Sequence, residues 1–295
     1  MFELVEAEKA NYPITVLCRT LGVSTAGFYG WRFSQSNPCR RRRDDTELVE
    51  RIREIHRTSR RSYGSPRVHD ELKLGEGRRV GRKRIERLMR VNGIVGIHKR
   101  RRGCTRRDVD ATPADDLVKR QFTPDGPDRL WVSDVTEHPT REGKVYLAVV
   151  VDAWSRRVIG WSIADHMRAE LVVDALQMAL WRRRPPAGQT VHHSDHGSQY
   201  TSWAFGRRLR AAGVLASMGS IGDAYDNAMA ESFFSVLQRE LLDEQTWATR
   251  RQLALAVFEW IEAWYNPHRR HTSIGSTSPI AYEAACIAAD LESAA

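Results

Sequence analysis

The spacing of apolar residues changes at Leu130, and that change restricts the fold more than any other feature. Before it, apolar residues recur every three or four positions, as on one face of a helix. After it they fall in short runs bounded by turn residues, as in strands. LWVSDVTEHP reads as a first strand and KVYLAVVVDAWS as a long buried one; RVIGWSIAD pairs back after the short turn Ser155-Arg156-Arg157. AELVVDALQMALWRRR reads as a helix ended by Pro185-Pro186, TVHHSD as a fourth strand, TSWAFGRRLRAAG as a helix and VLASMGS as a fifth strand. Three antiparallel strands followed by alternating helix and strand predict an α/β domain built on a mixed five-stranded sheet.

The upstream part reads as all-α. In ITVLCRTLGVSTAGFYGWR (residues 14–32), Val16, Leu17 and Leu21 form the apolar face of one helix, and Gly22 permits a turn. Ser24 caps the next helix, whose packing face is Phe28, Tyr29 and Trp31. This spacing predicts a helix-turn-helix, a motif that places its second helix in the DNA major groove; a small helical packing or dimer hairpin is the alternative. Asn37-Pro38, followed by Arg40–Arg43, reads as a linker running into a basic entry. A second helical unit follows, with Leu48, Ile52 and Ile55, then Val68, Leu72 and Leu74, then Ile85, Leu88 and Met89 facing inward. Ser65 reads as the N-cap of the next helix, with Pro66 at its first turn. Arg82, Lys83, Arg84, Arg87 and Arg90 face outward.

Charge follows the same division. Residues 40–107 hold 24 Lys and Arg against 9 Asp and Glu, whereas the whole chain carries +9, so the remainder is net acidic. A basic helical block joined to an acidic α/β region fits a nucleic-acid-binding part attached to a metal-binding catalytic part. Residues 98–128 read as an exposed basic linker that either tracks DNA backbone or is disordered. Cys18, Cys39, Cys104 and Cys286 are scattered with no C-x₂-C pair, which argues against a zinc finger. No apolar run approaches the roughly 18–20 residues that span a bilayer, and MFELVEAEKANYP has no signal-peptide pattern. The expected location is cytoplasmic and nucleoid-associated, with no membrane partner.

Three carboxylates stand out. Asp134 lies inside the first strand, Asp195 closes the fourth, and Glu231 lies on a helix whose apolar stripe is Phe233, Phe234, Leu237 and Leu241. Thirty-five residues separate Asp195 from Glu231. A lone Asp is more often a cap or a surface group than a ligand. Three carboxylates on separate elements suit hard divalent cations, which prefer oxygen ligands. Two such ions about 3.5–4 Å apart clamp the attacking and leaving oxygens of an in-line displacement. The competing groups have blander readings: Asp152 as a turn cap, Asp226 with Asn227 as a helix start, Trp131 and Tyr200 as core. His192, His193 and His196 are poor zinc ligands, because strand neighbours face opposite sides.

The order Asp–Asp–35–Glu, with HSDHGSQY at the second Asp and DNAMAESFF leading to the Glu, resembles the DDE transposases and retroviral-type integrases. More narrowly, the chain resembles the second-frame (OrfB-type) product of the insertion-sequence-3 family. Tyr63, Gly64, Arg67, Val68 and His69, and Lys83, Arg84, Ile85, Arg87, Leu88 and Met89, match that family's second helix-turn-helix, and YNPHRRHTSIGSTSP resembles its tail. The resemblance implies a ribonuclease-H-like core in which the first and fourth strands are adjacent, so that Asp134 meets Asp195 under the Glu231 helix. It implies two Mg²⁺ or Mn²⁺ ions on Asp134, Asp195 and Glu231. The implied reaction is metal-dependent cleavage and strand transfer at the inverted-repeat ends of a mobile element and into target DNA. A homo-oligomer on DNA, and a first-frame protein or frameshift fusion, are the implied partners. The expected organisation is a helix-turn-helix at 1–37, a second basic unit at 45–97, a linker at 98–124, the catalytic core at 125–241 and a C-terminal helical extension at 242–295.

The family has Lys seven residues after the catalytic Glu, where this chain has Gln238 followed by Arg239. Seven residues are two helical turns, so that position shares the Glu face. Gln238, Arg239, Arg67, Lys83, Arg84 and Arg87 are the expected DNA contacts, and Arg269 and Arg270 are offered to phosphate. His268 and His271 have ligand-like spacing, but packing is the better reading. Two rival functions stand beside transposition: a catalytically silent DNA-binding regulator, and a ribonuclease-H-type nuclease that cuts without joining.

Overall fold

The computed structural model describes residues 1–97, 124–195, 199–218 and 228–293. The expectations for most of the basic linker, Cys104, His196, and the Asp226–Asn227 helix start lie outside the described residues. The chain divides into two compact units, Met1–Gly96 and Ile97–Ala295.

In the first unit, α1 (Phe2–Glu8), α2 (Ile14–Thr20) and α3 (Thr25–Ser36) close around Val5, Cys18 and Phe28. The Ser24 hydroxyl accepts the Gly27 N–H at 3.0 Å, which is the expected cap. Val16 and Tyr29 are exposed rather than packed, because Cys18 and Phe28 occupy the inward positions of their helices. Adjacent helical residues point about 100° apart, so Phe28 and Tyr29 cannot both face the core. Next come α4 (Arg40–Thr58), α5 (Ser65–Asp70), a π-helical turn at Glu71–Gly75, and α6 (Arg82–Val91). Leu48, Ile52, Ile55, Val68, Leu72, Ile85, Leu88 and Met89 are buried as the spacing predicts, whereas Leu74 is exposed. The wider π turn moves Leu74 off the packing face, since its residues no longer advance by 100°. The α5 cap is Gly64, and Ser65 begins the helix.

In the second unit the strands are β1 (Leu130–Thr140), β2 (Gly143–Asp152), β3 (Val158–Ala164), β4 (Val191–Ser194) and β5 (Leu215–Met218). Their order is β3-β2-β1-β4-β5. The β1–β2 and β2–β3 pairs are antiparallel, and β1–β4 and β4–β5 are parallel. The mixed five-stranded sheet and the β1–β4 adjacency are therefore as expected. One face is covered by α7 (Ala169–Arg183) and α8 (Trp203–Ala211), around a core of Trp131, Val150, Ile159, Leu176, Phe205 and Leu209. Gly160 makes the close approach possible: a Cβ there would lie 2.1 Å from the Ala175 carbonyl oxygen of α7. The other face meets α9 (Ala228–Glu240) and α10 (Arg250–Glu259), whose Leu237, Leu253 and Val257 line a small cavity with Val145, Leu147 and Ile163.

The C-terminal residues belong to this same unit. A π-helical turn at Trp260–Tyr265 leads to Asn266, whose amide pairs with edge strand β3 as another strand would. It donates to the Val158 carbonyl and accepts the Val158 N–H, both at 2.9 Å. Glu283 on α11 (Pro279–Ser293) accepts from Arg157 at 2.6 Å and from Arg183. The segment from 242 onward thus packs on this unit, with α10 on the sheet's face and Asn266 at its β3 edge.

Candidate active site

The parallel register of β1 and β4 pairs Leu130 with Val191, Trp131 with His192, Val132 with His193 and Ser133 with Ser194. The next step along each strand is Asp134 and Asp195. The sheet therefore delivers these two carboxylates to the same level, at the C-terminal end of β4. Asp134 is half-buried, its Oδ1 accepts the Val135 N–H at 2.7 Å, and Asp195 is exposed.

The residues beneath the pair are buried and paired. The Ser133 hydroxyl bonds His192 Nε2 at 2.6 Å, and His193 Nδ1 bonds the Ser217 hydroxyl at 3.1 Å. These adjacent histidines point to opposite faces, as strand geometry requires. Burial pushes the His192 imidazole down to about 3, with His193 adding to the effect, so the ring is neutral at neutral pH. Its place is structural: it packs against Phe205 at 5.2 Å between ring centroids.

Glu231 lies in the first turn of α9, exposed, on the opposite side of the helix from its buried Phe233 and Leu237. The helix packs along β1. Its far end is fixed by Glu240, which takes two hydrogen bonds of 3.1 Å from Arg269 Nε and one of 2.9 Å from Nη2. Arg269 is 2% exposed, which corrects its reading as a phosphate contact: it is a buried strut for α9. Arg270 donates to the Ser276 carbonyl at 2.8 Å. Among the described residues no group of three or more His, Cys, Asp or Glu side chains is gathered tightly enough to hold a metal ion. The structure aligns Asp134 with Asp195 and places Glu231 on the helix beside them, without drawing the three into one cluster.

Asp152, a competing carboxylate, is fully buried and held by backbone donors. It accepts the backbone N–H groups of Asp128 and Trp154 at 2.8 Å and of Ser155 at 3.1 Å. It is the turn cap expected, and it takes no part in the site.

A family model described as an integrase core domain matches residues 124–224, and a second of the same description matches 212–279. One described as an HTH-like domain matches residues 42–102. The transposase for insertion sequence element IS629 of Shigella sonnei is 38% identical over 289 residues, covering 97% of this chain and 96% of that protein. The transposase InsF for insertion sequence IS3A of Escherichia coli is 36% identical over 288 residues, covering 96% and 98%. The chain belongs to the insertion-sequence-3 family of transposases. Among solved structures, the HTLV-2 integrase catalytic core domain in complex with magnesium aligns at 18% identity and a TM-score of 0.38, over 52% of this chain and 94% of that one.

In this family member the other expected site residues fall into two groups. Lys83 is exposed, and Arg67 is half-buried with its guanidinium 5.7 Å from the Tyr63 ring centroid. Arg84 and Arg87, by contrast, converge on one carboxylate: Arg84 Nε donates to Asp45 Oδ1 at 2.7 Å and Arg87 Nη2 to Oδ2 at 2.6 Å. The Arg87 and Arg84 hydrogen bonds hold the Asp45 carboxyl below its ordinary value against the opposing effect of burial. These two arginines lock α6 to α4 of the family's HTH-like unit. On α9, Gln238 Nε2 donates to Asp243 Oδ1 at 2.5 Å, and Arg239 is half-buried. The Asn266 clamp and Asp45 were not singled out as functional by sequence, and Arg269 was read as a phosphate contact, not as a strut. Their partners lie 24 or more residues away, beyond the reach of any local pattern.

Proposed function

We propose that this transposase cleaves DNA at the inverted-repeat ends of an insertion sequence and joins those ends to target DNA. Asp134, Asp195 and Glu231 are the carboxylates that hold two Mg²⁺ or Mn²⁺ ions per site. The observation that carries the reading is the in-register pairing of β1 with β4, which brings Asp134 level with Asp195. The donor set fits the cation, because all three groups offer hard carboxylate oxygens and none offers sulfur. When bound, the cations would supply Lewis-acid stabilisation of the scissile phosphate and of its attacking and leaving oxygens.

The chain's own part is to hold and orient. The two aspartates come from a rigid sheet, and the glutamate comes from a helix braced at its far end by Arg269. The nucleophiles are water and then a DNA 3′-hydroxyl, so no side chain needs to attack. Exposed Lys83, together with Arg67 and Arg239, is offered to DNA phosphates, which would place the recognition unit and fix its register on the duplex. Arg84 and Arg87 serve that surface indirectly, through Asp45. The active species is a homo-oligomer on paired element ends, with a first-frame protein or fusion as an additional partner.

The test is a cleavage and strand-transfer assay on cognate ends with Mg²⁺ or Mn²⁺, comparing the native chain with Glu231→Gln. Metal-dependent joined product that the variant fails to make is expected. Cleavage without joining would support a nuclease, and tight end binding without cleavage a regulator.

A further inference from the structure

The chain outside residues 40–107 is net acidic, yet α8 (WAFGRRLRA) holds three arginines and no carboxylate. Trp203, Arg207 and Arg210 fall at i, i+4 and i+7, so they share one face of the helix, and all three are exposed. Trp203 is 70% exposed, although an indole is the kind of large apolar group that cores and interfaces bury. The Arg207 guanidinium lies over it, 4.8 Å from the ring centroid. That contact engages one face of the indole and leaves the other in solvent. Among the described residues no carboxylate pairs with Arg207 or Arg210, whereas Arg182, Arg183 and Arg250 of the same unit each meet an acid.

Beside this stripe is a cavity of about 480 Å³, within the usual span of small-molecule sites, about 300–1,000 Å³. Trp203 and Arg210 stand on its exposed rim, and buried Ser194, Phe205 and Leu209 form its floor. Ala216 of the edge strand β5 makes its outer side. The cavity is on the α8 face of the sheet. Val135 packs on that face, so its neighbour Asp134 points to the other one, and the cavity is separate from the cation site. Ser194 nevertheless ends β4, and Asp195 follows it. The two sites are neighbours across the end of one strand.

We propose that Trp203 and the cavity beneath it hold an unpaired nucleobase of the DNA substrate, with Arg207 and Arg210 on the flanking phosphates. An aromatic face accepts any base by stacking, and arginines track the backbone; binding of a single strand uses this combination. A base inside a duplex has both faces covered, so only a base that has left the stack can reach the indole. A second copy of this chain fits the surface less well. A two-fold interface sets a patch against itself, and Arg207 and Arg210 would then face their own counterparts with no carboxylate on α8 to answer them. The proposal rests on DNA being the substrate, as above, and not on the metal ions.

The experiment measures the affinity of the full chain, without divalent cation, for two element-end probes. One is a blunt duplex; the other is the same duplex with a short single-stranded overhang carrying 2-aminopurine. The native chain should prefer the overhang and quench its fluorescence by stacking. Trp203→Ala should bind the overhang roughly 5–150-fold more weakly, the loss of one stacked base. It should keep native affinity for the blunt duplex and a native melting temperature, because the side chain is exposed. Trp203→Phe should retain most of the preference. Arg207→Ala should lower the slope of log affinity against log salt on the overhang probe by about 0.7, one single-strand phosphate contact. Overhang affinity and quenching that are equal in Trp203→Ala and the native chain overturn the proposal and leave the transposase reading standing. A Trp203→Ala variant that sediments as a smaller species with native DNA affinities also overturns it, and assigns the face to a contact between copies. A native chain that binds neither probe overturns both.

Discussion

Asp134 and Asp152 lie on neighbouring antiparallel strands, three residue pairs apart in register, and the fold treats them in opposite ways. Asp152 is sealed from solvent and surrounded by three backbone N–H donors, two from its own loop and one from Asp128 ahead of β1. Asp134 stays half-buried at the level where Asp195 emerges from β4. The same contrast recurs among the cations. Arg269, Arg84 and Arg87 are spent on carboxylates of their own unit, while Lys83 stays in solvent. A charge closed upon by its own chain builds the scaffold; a charge left at the surface is available for chemistry.

Substitution should separate the two kinds of charge. Asp195→Asn is expected to lower cleavage by about 10³-fold or more, the scale of several kcal/mol of metal-borne charge stabilisation. Its melting temperature should stay near native, so a large loss of stability would break the comparison. Arg269→Ala leaves Glu240 buried without its partner and should cost about 3–5 kcal/mol in denaturant unfolding. Asp152→Ala strands three backbone donors and should cost about 3 kcal/mol at about 1 kcal/mol each, while the cleavage rate per folded molecule is retained. Lys83→Ala should leave stability unchanged and reduce the slope of log affinity for DNA against log salt by about 1. Arg87→Ala should do the reverse, loosening the first unit by up to about 1 kcal/mol, since this pair is partly solvated.

Asp152 also predicts a pH dependence. Burial raises its carboxyl from 3.8 to about 6. Between those values the folded protein binds a proton that the unfolded chain does not, so the stability of the second unit should rise as pH falls from 7 toward 5. Asp152→Asn should lack that rise. Denaturation midpoints at pH 7 and pH 5 for both proteins would show it.

Much of this was legible in sequence because its cause is local. The strands were readable from runs such as KVYLAVVVD, and the cap on α3 from Ser24 ahead of an apolar period. The β1–β4 adjacency was not local: it came from the family resemblance, and the parallel pair in register leaves Asp134 opposite Asp195. The misreadings share a different cause. Arg84, Arg87 and Arg269 looked like phosphate contacts because a sequence shows a cation but not the distant carboxylate that occupies it. Leu74 was read inward because a π turn breaks the 3.6 period without altering composition.

The most direct measurement is anomalous diffraction from crystals of the full chain grown with Mn²⁺. A peak between the Asp134 and Asp195 carboxylates, with Glu231 drawn to it at roughly 2.0–2.2 Å as for a small hard cation, is the predicted result. Crystals that diffract with Mn²⁺ bound elsewhere, or with those carboxylates bare, would contradict the claim that this sheet end is the catalytic centre.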